Sequence, residues 1–130
     1  MSMDDLSIWR LGKAEATFKD GEELERLGSY QSAINRYYYS AFHAVRALLA
    51  TKGLDSAKHS GVISYFNREF VKPGLVNKTY SKSLSNLFRL RSNADYDDFK
   101  TFSHEDCIAA REQARGIIQE ISNILNYGRQ

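Results

Sequence analysis

Apolar residues recur at three- and four-residue spacing along nearly the whole chain, which is the period of a helix face. Extended β-branched runs and Asn-Gly or Asp-Gly hairpin signals are missing, and there is one proline in 130 residues. The pattern predicts an all-α protein. A first helix, about Asp4 to Leu27, carries Leu6, Trp9, Leu11, Ala14, Phe18, Leu24 and Leu27, spread over two faces and interrupted by Gly21. Gly28-Ser29 ends it. The second, about Tyr30 to Lys52, is apolar over more than half its circumference, from Ala33 and Ile34 through Tyr37, Tyr38, Ala41, Phe42 and Val45 to Leu48 and Leu49, and is expected to be central. Gly53 stands where a helix C-cap belongs, and Asp55 or Ser56 opens a shorter third helix marked by Val62, Ile63, Phe66 and Phe70 and stopped by Pro73-Gly74. Asn77 or Thr79 caps a fourth, with Tyr80, Leu84, Leu87 and Phe88 on one side, running to about Asn93 or a little beyond. After a polar loop, Asp97 to Phe102, Ser103 with Asp106 three residues on forms a variant capping box. The last helix has Cys107, Ala110, Ala114, Ile117, Ile121 and Ile124 as its stripe. Short connections between long amphipathic helices favour one domain over 1–130, an up-and-down four-helix bundle with an additional short helix.

A chain of this length buries roughly two-thirds of the surface it exposes when unfolded, so neither metal nor disulfide is required to hold it. Its single cysteine, Cys107, has no partner in the chain, no segment approaches the ~20 apolar residues of a membrane span, and the acidic start Met1-Ser2-Met3-Asp4-Asp5 lacks a signal peptide's apolar core. A cytoplasmic protein is the expectation. The net charge of +2 conceals a segregation: residues 1–30 hold four basic and seven acidic side chains, 31–93 hold ten and two, and 94–130 hold four and seven. A basic middle rich in tyrosine and phenylalanine has what phosphates and bases seek, although charge adjacent in sequence need not gather into a surface patch.

Two groups of polar residues ask for an explanation. At helical spacing Ser32, Asn35, Arg36, Tyr39, His43 and Arg46 share one side of the second helix. Either this is its solvated face, or it lines a groove or a dimer seam; His43 is the member that titrates near neutrality and could serve as an acid/base or a phosphate contact. Arg91 falls on the same side as Tyr80, Leu84 and Leu87, with Asp95 at i+4. An arginine there either pairs structurally with Asp95 or has a functional role. The three histidines, 43, 59 and 104, have no zinc spacing with the lone cysteine, and there is no phosphate loop or nucleophile elbow. The carboxylates of Asp95, Asp97 and Asp98 read as a solvated turn. No metal and no cofactor are expected.

Three segments in this order, Tyr37-Tyr38-Tyr39-Ser40-Ala41-Phe42-His43-Ala44, His59-Ser60-Gly61-Val62-Ile63 and Leu90-Arg91-Ser92-Asn93-Ala94-Asp95-Tyr96, resemble the HEPN superfamily, in particular its small stand-alone prokaryotic branch. The resemblance spans nearly the whole chain. It implies a four-helix bundle with an extra short helix, usually a homodimer. Many relatives are metal-independent ribonucleases, often toxins encoded beside a minimal nucleotidyltransferase that acts as antitoxin. Their signature is an arginine followed by a polar residue and, after four to six intervening residues, a histidine, with the two copies meeting in one cleft. Arg91 matches the arginine, and Ser92 or Asn93 the polar position. The histidine positions are instead Tyr96, Asp97 and Asp98, and His104 lies too far on.

Three accounts follow. Arg91 could stabilise charge on phosphorus while Tyr96, Asp95 or His43 handles protons, although a tyrosine with an ordinary pKa of about 10 is a poor base. The site could bind RNA or nucleotide without cutting it, through Arg91, Ser92, Asn93, Arg36, Tyr39, Arg46 and His59. Or the bundle could only dimerise and engage a partner. By resemblance alone, Tyr96 is also a candidate for nucleotidylation by a partner nucleotidyltransferase.

Overall fold

The computed structural model describes residues 3–96 and 98–127, and among them every regular element is helical. The helices are α1 (Met3–Arg26), α2 (Tyr30–Ala50), α3 (His59–Phe66), α4 (Lys78–Tyr96) and α5 (His104–Tyr127), with a π-helical turn, Asn67–Val71, continuing α3. The expected all-α bundle with an extra short helix is what the chain adopts. Tyr37 lies against Gly21 and Ser7 beside Ala47, so α1 and α2 run antiparallel. Arg91 lies beside Tyr39 and Asp95 beside Asn35, so α2 and α4 do too. α2 touches all three other long helices. That is why Ile34, Leu48 and Leu49 are fully enclosed, each such burial contributing about 1.5–3 kcal/mol. No helix among the described residues is long and apolar enough to cross a membrane.

Local signals place the element ends. Gly28 and Gly53 take left-handed φ of 79° and 67° just beyond α1 and α2, a conformation open to glycine at little cost. Asn77 Oδ1 accepts the Thr79 amide at 2.9 Å, and the Ser103–Asp106 box closes in both directions at 2.9 and 3.1 Å. α4 continues to Tyr96, a little beyond Asn93 as the spacing allows. α3 starts at His59, later than Asp55 or Ser56 would give, because Asp55 is drawn instead into ion pairs with Arg10 and Arg46.

The buried face of α1 departs from its apolar pattern. Trp9 and Leu27 are exposed, at 58% and 64%, while Ser7, Arg10, Thr17 and Glu25 are buried beside Leu11 and Ala14. The rotation is set by partners. Ser7 Oγ donates to the Ala47 carbonyl at 2.8 Å, and Arg10 donates to the Arg46 carbonyl at 3.2 Å and to Asp55 at 3.0 Å. A Cβ on Gly21 would come within 2.7 Å of the Tyr37 ring, so a glycine there lets α1 approach α2.

Candidate functional site

Because α2 and α4 are antiparallel, the polar side of α2 meets the C-terminal turns of α4, and Arg91 stands at the centre. Its Nη2 donates to the Tyr39 hydroxyl at 2.9 Å. Its Nε lies 2.9 Å from an Asp95 oxygen, yet that N–H is not aimed at the carboxylate and is buried without a hydrogen bond. The guanidinium carbon stands 5.3 Å from the Tyr39 ring centre and 5.7 Å from those of Tyr38 and Tyr96, within cation–π range. Asp95 accepts from Asn35 at 3.1 Å, and Asn35 accepts from Arg36 at 2.6 Å. The Arg36 guanidinium also lies 5.3 Å from the Tyr39 ring centre. Two cations thus share one aromatic ring while, among the described residues, a single carboxylate, Asp95, pairs with Arg91. Arg91 and Asp95 do form the structural pair, but it leaves the arginine incompletely bonded.

His59, the first residue of α3, enters from the other side. Its ring stacks on Phe42 at 4.5 Å, and its Nδ1 is 2.7 Å from the hydroxyl of the fully buried Tyr38. Burial, and then the Arg91 charge, hold its pKa below the ordinary value, so the imidazole is neutral at pH 7. The lead into α3 fixes its position: a Cβ on Gly61 would meet Ser56 Oγ at 2.0 Å, so only glycine lets the 55–58 segment fold onto the first turn of the helix.

His43 lies one turn along α2 from Tyr39. Burial, followed by the charges of Lys13, Arg46, Arg36 and Arg10, pushes its pKa down to about 4. Arg46 and Arg10 both hold Asp55 (2.9 and 3.0 Å), and chiefly the Arg46 hydrogen bond holds that carboxyl at about 2. The α2 stripe is therefore half-buried and lined with cations along most of its length; Ser32 at its start is exposed. Ser92, Asn93, Tyr96, Asp98 and Phe99 line an open recess of about 580 Å³ that adjoins Arg91 through Tyr96. Asp97 lies outside the described residues.

The structure thus links Arg91, Asp95, Asn35, Arg36 and Tyr39 to one another and brings His59 to them through Tyr38. It places His43 and Arg46 on a neighbouring arm towards α1, and Ser92 and Asn93 on the recess. The pattern did not single out Tyr38 or Phe42 as parts of a site, since both read as core, nor Arg10, which is buried although it lies off the apolar stripe. Among the described residues no three His, Cys, Asp or Glu side chains gather as a metal site would require.

A second polar cluster joins α1, α2 and α5. The buried Glu25 carboxylate accepts from the Tyr37 hydroxyl at 2.6 Å and lies 2.6 Å from Arg111 Nη1 and 2.9 Å from His104 Nε2. Burial alone would raise its pKa; the hydrogen bonds from Tyr37 and His104 and the Arg111 charge outweigh that and lower it. Burial, with the nearby Glu25 charge, pushes the Cys107 thiol up to about 12.

Comparison with known proteins gives a consistent picture. The HEPN domain description matches residues 8–125. A UPF0332 protein of Thermotoga maritima is 38% identical over 120 residues, covering 92% of this chain and 90% of its own. A UPF0332 protein of Archaeoglobus fulgidus is 33% identical over 127 residues, 98% of this chain and 100% of its own. A protein of Methanocaldococcus jannaschii named "Putative toxin" is 38% identical over 85 residues, 65% of this chain and 58% of its own.

Proposed function

The chain belongs to the HEPN domain family, and from that premise we propose that it is an RNA-acting, ribonuclease-like toxin component paired with a nucleotidyltransferase antitoxin. The observation that carries this reading is the state of Arg91: a guanidinium held over tyrosine rings, with Nε buried and unbonded, beside Arg36 and a neutral His59. Nε is sealed behind Asp95, so a phosphodiester would be met by the Nη groups of the guanidinium, of which Nη2 is held by the Tyr39 hydroxyl. In cleavage the ribose 2′-hydroxyl gives up its proton and attacks the adjacent phosphorus, and the bond to the next nucleotide's 5′-oxygen breaks as that oxygen takes up a proton. A 2′,3′-cyclic phosphate is left, and Arg91 stabilises the charge that develops on the non-bridging oxygens. Asp95 is committed to Arg91 and Asn35, so proton transfer falls to His43 or Tyr96. The toxin role is supported by the names of the Methanocaldococcus relatives. The active form is a homodimer in which the two copies share one cleft, and Tyr96, 74% exposed, is accessible for nucleotidylation by the partner enzyme.

Incubation of the purified protein with total RNA, with and without Mg²⁺, beside Arg91→Ala tests the reading. Cleavage by the parent, reduced roughly 10²- to 10³-fold in the variant, is expected. The occupation of the motif-histidine position by Tyr96 favours one rival, a dimeric module that binds RNA or nucleotide without cutting. RNA retained by the parent but left intact under both conditions selects that rival, and neither binding nor cleavage overturns the proposal. After coexpression with a neighbouring nucleotidyltransferase, intact mass is expected to show an added nucleotide that Tyr96→Phe abolishes; an unchanged mass removes the modification.

A further inference from the structure

We propose that His59 and Arg91 form a two-donor cradle for a single phosphate group, with Tyr38 orienting both donors. This rests on the reading that the Arg91 cluster takes RNA phosphate, and it assigns the second donor to a residue of α3 outside the α4 segment that carries the arginine.

Tyr38 is fully buried and connects the two donors. The Arg91 guanidinium lies 5.7 Å from its ring centre, and its hydroxyl is 2.7 Å from His59 Nδ1. Burial raises the pKa of that hydroxyl far above the ordinary value, so it keeps its proton. Nδ1 is the one polar partner it has among the described residues, and an O–H enclosed by rings that did not donate there would be left unsatisfied. Tyr38 therefore donates, Nδ1 accepts, and the imidazole proton resides on Nε2. Nothing among the described residues bonds Nε2, and it is not sealed from solvent as Arg91 Nε is. The ring cannot rotate freely, because it is stacked on Phe42 at 4.5 Å with an interplanar angle of 21°.

The two donors differ in kind. Arg91 supplies charge, and His59 supplies a neutral, directional N–H beside it. A neutral donor can stand next to a guanidinium without the repulsion that a second cation would bring, and the Arg91 charge is among the forces that keep His59 uncharged. Such a pair suits a phosphate with two accessible oxygens, either the diester of RNA or the monoester of a free nucleotide.

The test has a spectroscopic arm and a binding arm. Long-range ¹H–¹⁵N NMR of the whole protein at pH 7 should show His59 as the Nε2–H tautomer, with both ring nitrogens shifting on titration with uridine 3′-monophosphate. The Nδ1–H tautomer, or a mixture, overturns the inference. Fluorescence anisotropy with a labelled single-stranded RNA should show affinity falling roughly tenfold to a hundredfold in His59→Ala, the scale of a lost hydrogen bond to a charged group, and substantially recovering in His59→Gln, which restores an N–H. Tyr38→Phe should weaken binding less, with the tautomer no longer fixed, and thermal melts confirm that each variant is folded. If the parent binds RNA and all three variants match it, the His59 assignment falls while the RNA reading stands. If the parent binds uridine 3′-monophosphate but not RNA, and His59→Ala loses it, the cradle stands and the RNA reading falls. Binding of neither overturns both.

Discussion

Glu25 and Arg91 are both charged side chains drawn into the bundle, and their surroundings treat them in opposite ways. Glu25 is 8% exposed and receives partners from two other helices: the Tyr37 hydroxyl from α2, and His104 and Arg111 from α5. Its lone pairs are occupied, so a ligand has little to add. Arg91 is 14% exposed, donates to the Tyr39 hydroxyl, meets one carboxylate among the described residues at an unfavourable angle, and otherwise faces aromatic rings, one of them shared with Arg36. The difference separates a buried charge that ties helices together from one that retains unused binding capacity. A satisfied polar network fixes structure, whereas an unsatisfied one is held in place by the rest of the fold and is a natural seat for a ligand.

That contrast can be broken at several points. Glu25→Ala strips Arg111 and Tyr37 of their common acceptor, and urea denaturation is expected to show a loss of about 3–5 kcal/mol, as for other buried pairs deprived of one member. A loss below about 1 kcal/mol would mean that the cluster does not hold the bundle together. The cation-lined arm of α2 next to the Arg91 cluster should instead cost stability in acid. The folded pKa of His43, about 4, lies below its unfolded value of 6.5. The unfolded chain therefore binds the proton first as pH falls. Stability is complete above about pH 6.5 and declines towards pH 4 by up to about 3 kcal/mol, and His43→Gln should flatten that decline in denaturation midpoints. An unchanged slope in the variant contradicts the account. Tyr37→Phe removes one hydrogen bond to Glu25 and should cost about 1–2 kcal/mol in the same assay. The smallest effect is expected for Arg91→Met, within about 1 kcal/mol of the parent in either direction, since an apolar chain of similar length can replace a poorly paired buried cation. A loss near that of Glu25→Ala would place Arg91 in the structural class.

The helices were legible wherever the determining signal is local. The apolar run of α2, the Ser103–Asp106 box and the glycines at 28 and 53 act within one or two turns. The rotation of α1 was not, because Ser7 and Arg10 are buried by partners on α2 and at Asp55, some 36 to 45 residues away. The π-helical turn at Asn67–Val71 left no mark in the spacing. Within the site, Asn35, Arg36 and Tyr39 could be grouped because helical period alone puts them on one side, and Arg91 with Asp95 for the same reason. The link between Tyr38 and His59 spans 21 residues and a non-helical segment that Gly61 and Ser56 shape by contact, so no periodic pattern encodes it. The same holds for Glu25 with His104 and Arg111, which are 79 and 86 residues away in sequence.

The division between the two charges is tested most directly by measuring RNA affinity for Arg91→Ala and Glu25→Gln by anisotropy at a temperature where both remain folded. The account predicts a loss of roughly tenfold or more for Arg91→Ala, the scale of a charged hydrogen bond to phosphate, and less than about twofold for Glu25→Gln. Equal losses, or a larger loss for Glu25→Gln, would contradict it.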